Sequence, residues 1–454
     1  LPRAFPDIFP LPGARPGGSC APGETLLYSK YEQMFCLWRW AEVRVILHSD
    51  CNSFYASVEA AEDLSLRGQP VAVCGDSSLR HGIILAKSAQ AKKCGVITGE
   101  AIWQAKQKCP GLVLIPADQR KYLLYSRRMR EVYKRYTHKV EPFGLDESWL
   151  DVSGHELSGE EIAAQIRNAA KQELGITVSV GVSFNKVFAK LGSDMRKPDA
   201  TTVITPGNYR DKVWPLPVDD LLYVGRATKR RLAGLSLHTI GDLARAEDGL
   251  IRGLLGKNGQ MLQCFARGQD DSPVLCAEEA DEIKSVGNST TTPHDVCTEE
   301  EAKAVLYLLA DSVAARLRAH HFACNTVSVW MRDSELNSIN RQRKLPQPSD
   351  TGADIARMAL ELLREHYAWQ LPLRSLGVCA SDLDSTHSMV QLPLWTPPKA
   401  RRERELEGAL DDIRSRWGHN AVRRGLLLCG ESTSKLNPVD DHALQPLGAM
   451  RGRG

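Results

Sequence analysis

EPFGLDESWLDVS, residues Glu141 to Ser153, decides how this chain reads. Its pattern predicts two strands meeting at a turn around Phe143 and Gly144. Adjacent acids, Asp146 and Glu147, follow the turn, flanked by Leu145 and by Trp149–Leu150. A third acid, Asp50, ends the apolar run VRVILHSD (Val43 to Asp50). A buried, unpaired charge is strongly disfavoured, so carboxylates in such settings need a counter-charge. A divalent cation supplies one. Hard ions such as Mg²⁺ take carboxylate oxygens and keep positions free for substrate phosphates. Two such ions, about 3.5–4 Å apart, form a clamp for in-line attack at phosphorus. Alone, the Asp-Glu doublet is weak, because most such pairs are solvated surface or helix-start charges. Its surroundings carry the weight.

At 454 residues the chain exceeds one hydrophobic core and reads as three or more domains. The net charge of +3, with pI near 8.2, permits a polyanionic partner without arguing for one, since a local basic patch counts for more than the total. No run approaches the roughly 18 apolar residues of a membrane span. Residues 1–42 are rich in Pro and Gly near the start and lack the basic and apolar regions of a signal peptide, so they read as an unstructured extension. The 12 cysteines form no CxxC pair, and no His cluster has zinc spacing. Reduced thiols in a cytoplasmic protein are the expectation.

Strands are expected at Val43–His48, Pro70–Gly75, Gly82–Ser88, Leu112–Asp118 and Ile176–Asn185, with helices at Ser53–Leu64, Tyr122–Tyr136 and Gly159–Gly175. This alternation suits a mixed sheet with helices on one face. Short Gly-punctuated helices follow from Asp219 to Ala246, then a polar linker. A third unit carries two helices on a small sheet, the first opened by a Thr298/Glu301 capping box. A tail follows, with the apolar island MVQLPLW and a charged helix.

Four motifs then stand in order: DCNSFYASVE (Asp50–Glu59), LDESWLDVSG (Leu145–Gly154), SVGVSFNKVFAKLGSDMRKP (Ser179–Pro198) and VGRATKRRL (Val224–Leu232). Together they resemble the Y-family DNA polymerases, the translesion group of bacterial polymerase IV and the catalytic subunit of polymerase V. The resemblance covers about residues 43–395, and GEAIWQAKQKCPG and GNSTTTP look most like a Gram-positive branch. It implies an α+β multidomain right-hand polymerase. The palm would be 43–61 and 121–204, small fingers 62–120, and a helical thumb with a helix-hairpin-helix 205–270. A linker at 271–287, an α/β little finger at 288–388 and a C-terminal tail at 389–454 would complete it.

The resemblance also implies roles. Asp50, Asp146 and Glu147, with the Cys51 backbone carbonyl, would hold two Mg²⁺ ions. Tyr55 would be the steric gate that rejects a 2′-OH. Phe54 beside it belongs either to the nucleotide site or, as its plain reading has it, to the core. Lys197 would reach the triphosphate as a point charge. In the fingers, relatives carry NYEARKFGV where this chain has SAQAKKCGV (Ser88–Val96). Ala89 replaces the tyrosine and Lys92 the arginine, and a lysine cannot make the two-pronged arginine contact. Asn52 stands where relatives often have Asp, outside the metal carboxylates.

Gly225, Thr228, Lys229 and Arg230 in the thumb would hold DNA phosphates without reading sequence, Arg231 adding charge. From Glu299 to Asp384 there are ten Lys/Arg against twelve Asp/Glu, so a local stripe, Arg341, Arg343 and Lys344 on an expected edge strand, would have to serve. The bland reading is that these charges only protect the strand edge. QLPLW resembles the bacterial sliding-clamp-binding peptide, with Gln391, Leu392, Leu394 and Trp395 as anchors. The expected partners are primer–template DNA, deoxynucleoside triphosphates and the sliding clamp, with no membrane and a monomeric enzyme. A non-catalytic adaptor of the same family is the alternative; such relatives usually lose carboxylates, and all three are present here. A two-metal nuclease or cyclase is disfavoured by the Lys197 motif and the thumb hairpin.

Overall fold

The structure, a computed structural model, describes residues 44–75, 82–276, 283–385 and 398–428. The expected N-terminal extension and the Gln391–Trp395 peptide lie outside the described residues. Strands β1 (Ile46–Cys51), β5 (Val140–Pro142), β6 (Glu147–Asp151), β7 (Val178–Ser183) and β8 (Thr201–Val203) form a five-stranded sheet in the order β5-β6-β1-β7-β8. Only β7–β8 is parallel. Every residue of β1 and β7 is buried, because both faces of the sheet are covered.

Alternation sorts the side chains. Leu47, Leu150 and Val180 pack with α1 (Phe54–Glu62), α4 (Gln119–Lys134) and α5 (Gly159–Glu173) through Val58, Met129, Ile162 and Ile166. Ile46, His48 and Asp50 point the other way, with Trp149 and Gly181 in register beside His48. Helix α6 (Lys186–Met195) covers this second face, so the expectation of helices on one face only is corrected. The reason is Gly181. A Cβ there would stand 1.9 Å from the Ala189 carbonyl oxygen, so only glycine lets the helix settle so close. Gly192 gives the same relief from the helix side, 3.2 Å from the Gly181 Cα.

Strands β2 (Val71–Cys74), β3 (Ile84–Lys87) and β4 (Val113–Pro116) form a separate three-stranded sheet, ordered β3-β2-β4. It carries the short helices α2 (Ala89–Lys93) and α3 (Ile102–Lys108) around a small core of Ala72, Ile84, Ala91, Val96 and Ala105. Four helices follow: α7 (Tyr209–Val213), α8 (Arg226–Ala233), α9 (Ile240–Arg245) and α10 (Asp248–Ala266). Their core joins Val213, Leu232, Ile240 and Leu262 to Phe188 of α6.

The C-terminal unit is a four-stranded antiparallel sheet of β9 (Ser285–Val296), β10 (Phe322–Asp333), β11 (Ser338–Ser349) and β12 (Leu373–Ser385), ordered β11-β10-β12-β9. GNSTTTP is part of β9, so this unit begins inside the expected linker. Helices α11 (Glu299–Ala319) and α12 (Gly352–His366) pack on the sheet, and the Thr298/Glu301 capping box is present. The charged helix of the expected tail, α13 (Pro398–Trp417), lies back on this unit. Its Glu407 accepts the Gly352 N–H and pairs with Arg318 at 2.6 Å, and Asp411 takes Arg318 at 2.7 Å. Arg424, beyond α13, reaches the buried Asp311 at 2.7 Å. Among the described residues no helix is long and apolar enough to cross a membrane.

Gly181→Ala should destabilise the protein by about 2 kcal/mol or more, because the clash is with backbone and cannot be relieved by a side-chain rotation. Urea unfolding measures this. Gly111→Ala, where nothing lies within 4 Å of the added methyl, should stay within about 0.5 kcal/mol of the parent.

Candidate active site

Strand pairing sets the site. Asp50 stands opposite Glu147 in the β1–β6 ladder, so their side chains leave neighbouring strands on one face. Gly144, at φ +90°, turns the chain between β5 and β6 and delivers Asp146 beside them. The Cys51 N–H donates to the Asp146 carbonyl at 3.0 Å, closing the acidic turn onto the end of β1. Three anions therefore crowd one corner. Burial pushes the Asp50 carboxyl up to about 6, with the Glu147 charge adding to the rise and Lys197 opposing it. Asp146 is pushed up to about 7, by burial first and then by the charges of Asp50 and Glu147.

Helix α6 answers with ammonium groups. Lys190 reaches Glu147 at 2.6 Å. Lys197, just past the helix, sits 2.6 Å from Asp50 and 2.8 Å from Asp194. Burial works to lower the Lys197 pKa, but the Asp50 and Asp194 carboxylates outweigh it and hold the ammonium above its ordinary value. His48 lies beneath, fully buried, edge-on to Trp149 at 5.2 Å. Ser193 donates its hydroxyl to the Lys190 carbonyl at 2.7 Å and so accepts from His48 Nδ1 at 2.8 Å. That assigns the proton to Nδ1 and turns the Nε2 lone pair toward Glu147, 3.3 Å away. Burial, then the Lys190 charge, holds the imidazole well below its ordinary pKa, so this contact is no ion pair.

The donor set suits a hard cation, being carboxylate oxygens whose pKa values are raised by burial and then by one another's charge. Among the described residues no three acid, His or Cys side chains already stand as an ion cage. One oxygen of Asp50 and one of Glu147 each face an ammonium.

Tyr55, on α1, is half-buried and stacks on Tyr122 of α4 at 4.1 Å, the rings 13° from parallel. The Tyr122 hydroxyl donates to Glu59 at 2.7 Å, and Lys121 holds the other Glu59 oxygen at 2.7 Å. Burial, then the Asp146 charge, raises the Tyr55 pKa, so the ring feels the acidic corner. Phe54 is 4% exposed and packs in the core beneath the five-stranded sheet. Lys92 is exposed on α2, whose N-cap is Ser88. Lys87 on neighbouring β3 donates to Thr98 at 2.9 Å and is lowered in pKa by burial and then by the Lys92 charge.

The basic candidates lie further out. Gly225 is the N-cap of α8, with Thr228, Lys229, Arg230 and Arg231 within the helix and Lys229 paired to Asp219 at 2.8 Å. Strand β11 is an edge of its sheet, as expected. Arg343 pairs with Glu365 and Lys344 with Asp382 at 3.4 Å, whereas Arg341 donates to the Asn340 backbone carbonyl at 2.8 Å. The stripe is thus partly neutralised by its own neighbours.

Lys190, Asp194, His48 and Tyr122 escaped the sequence reading. Lys190, Asp194 and Lys197 recur at i, i+4 and i+7, a helical spacing that marks one face and was a usable signal. Nothing local marks Tyr122, because its partner Tyr55 is far away in sequence.

Residues 49–194 match the family model for the impB/mucB/samB family, and 283–394 the model for the impB/mucB/samB family C-terminal domain. The chain is 47% identical over 389 residues to a DNA polymerase IV of Acetivibrio thermocellus, covering 85% of this chain and 98% of that protein. It is 36% identical over 393 residues to DNA polymerase IV 1 of Bacillus subtilis, covering 86% and 94%. Among solved structures, a Y-family DNA polymerase chimera, Dbh-Dpo4(243-245)-Dbh, superposes with TM-score 0.67 over 75% of this chain and 99% of its own, at 24% identity, which speaks to the fold alone. With two matched regions and relatives matched along nearly their whole length, the chain belongs to the impB/mucB/samB family, the Y-family DNA polymerases.

Proposed function

We propose that this enzyme is a low-fidelity, template-directed DNA polymerase that copies past damaged bases by two-metal-ion nucleotidyl transfer. The observation that carries the reading is the Asp50–Glu147 strand pair, with Asp146 beside it and Lys197 bonded to Asp50. Asp50, Asp146, Glu147 and the Cys51 carbonyl are the residues that would hold Mg²⁺. Bound there, the ions would lower the pKa of the primer 3′-OH and neutralise the leaving pyrophosphate.

The protein's own groups do the positioning, which is most of the catalysis in phosphoryl transfer. Lys197 balances Asp50 until nucleotide and metal arrive, and is then free to meet the triphosphate. Lys190 keeps Glu147 oriented. Tyr55, held flat on Tyr122, stands where a 2′-OH would collide. Lys92 adds a phosphate contact from the fingers. That fingers unit has helices of only 5 and 7 residues on a three-stranded sheet, a small surface to press on a nascent base pair. This favours tolerance of distorted templates over discrimination. Gly225, Thr228, Lys229, Arg230, Arg341, Arg343 and Lys344 would hold duplex phosphates, and Gln391, Leu392, Leu394 and Trp395 would dock on the sliding clamp. The working form is a monomer in the cytoplasm.

Asp146→Ala should lower Mg²⁺-dependent primer extension by roughly 10³-fold or more, with primer–template binding retained in a gel-shift titration. Extension at the parent rate would sink the metal assignment. Tyr55→Ala should admit ribonucleotides in single-nucleotide insertion assays, and unchanged sugar discrimination would remove Tyr55 from the gate. Deleting residues 391–395 should abolish stimulation by the clamp and spare basal extension; persistence of stimulation would place the docking site elsewhere.

A further inference from the structure

The catalytic sheet holds a buried ion pair that the proposed chemistry does not use. Glu141 of β5 and Lys186, the first residue of α6, are each under a tenth exposed. The Lys186 ammonium donates to both Glu141 oxygens, at 2.8 and 2.7 Å, and lies 4.5 Å over the Trp149 ring. A buried pair of this kind gains little over well-packed apolar side chains. What it adds is a fixed direction.

Both charges also face the segment that leaves the thumb. The Leu275 N–H donates to Glu141 at 3.0 Å, and Lys186 reaches the Pro273 carbonyl at 3.5 Å. Val274 between them is 4% exposed, packed with Ile46, Trp149 and Ala189. Asn185 donates to the Gly268 carbonyl at 3.1 Å and Arg44 to the Ser272 carbonyl at 2.7 Å. Residues 268–275 are therefore strapped across the α6 face of the sheet, and the ion pair is the buckle.

We propose that Glu141 and Lys186 are positioning residues that latch this strap to the palm and thereby limit how far the C-terminal unit can stand from the active site. With the strap latched, Leu275 is ten positions before Ser285, the start of β9, a reach of at most about 35 Å. Released, the tether runs from Ala266, the end of α10, nineteen positions before Ser285, and its limit rises to about 65 Å. This rests on the reading that the C-terminal unit grips primer–template beside the site. A unit allowed to wander further presents its DNA contacts at lower effective concentration. The latch thus acts on DNA affinity and leaves the nucleotide site alone.

The test uses the full chain as Glu141→Gln and as Glu141→Gln/Lys186→Met. The first change keeps the shape of Glu141 but takes the counter-charge from a buried ammonium, and the second then removes that charge. Hydrogen exchange is read at peptides covering 268–276 and, as a control, 162–170. Primer–template affinity is read by anisotropy without nucleotide, and KM values by extension. The single variant should exchange about tenfold faster at the strap with the control unchanged. It should bind primer–template several-fold more weakly, with the nucleotide KM and kcat within about twofold of the parent. The double variant, which lacks the buckle but buries no uncompensated charge, should still exchange faster at the strap and bind primer–template more weakly, with the control peptide protected; full recovery would show that only the stranded charge mattered and would overturn the latch. Undisturbed strap exchange, strap release without loss of DNA affinity, or loss of protection at the control peptide that the double variant fails to restore would each overturn the latch. If the parent binds DNA yet extends no primer, the polymerase reading fails, while exchange and anisotropy still decide the latch.

Discussion

The approach of α6 to the sheet at Gly181 governs this molecule. With a side chain at that position the helix would have to ride higher, and every group it carries would rise with it. Lys190 would lose Glu147, Lys197 would lose Asp50, and Ser193 would lose His48. The same helix begins with Lys186, so the strap leading to the C-terminal unit would also lose its seat. A missing methyl group is thus what allows three anions to coexist in a corner that burial makes hostile to them.

That charge balance is provisional by design. Buried carboxylates left alone take up protons; here ammonium groups share the load, while burial and mutual repulsion still hold Asp50 and Asp146 above the ordinary carboxylate range. Such a site favours a doubly charged cation over bulk water. The lysines offset part of the corner's negative charge, and Lys197 holds Asp50 through a single contact on a partly exposed side chain. Stability and readiness come from the same residues.

How much of this was legible in the sequence depends on range. The β5–β6 turn, the strand ending at Asp50, the capping box at Thr298 and the edge strand bearing Arg341 are local patterns, and they read correctly because neighbouring residues cause them. That Asp50 would meet Asp146 and Glu147 came from the family resemblance, while the strand register that sets Asp50 opposite Glu147 is written in neither local stretch. Side-chain partnerships across the chain were invisible: Tyr55 on Tyr122, Lys190 on Glu147, Glu141 with Leu275. So was the second layer of helix on the sheet, since Gly181 looks like any other glycine in a strand until its neighbour is known. The charged C-terminal helix offered composition without direction, and its docking rests on Asp311 and Arg318, in a helix far upstream.

That docking carries a practical meaning for where the C-terminal unit ends. Asp311 is 6% exposed, and the guanidinium of Arg424 at 2.7 Å, with that of Arg414 at 3.8 Å, answers its charge. Glu407 in turn occupies the backbone amide that opens α12. Trimming the protein at the close of β12, where the sheet is complete, would strip away both, leaving Asp311 without the Arg424 guanidinium and the Gly352 N–H without its carboxylate acceptor, while Thr351 still caps the helix. Anyone excising this unit for separate study should carry the boundary past Leu428, for the sheet is finished well before the fold is.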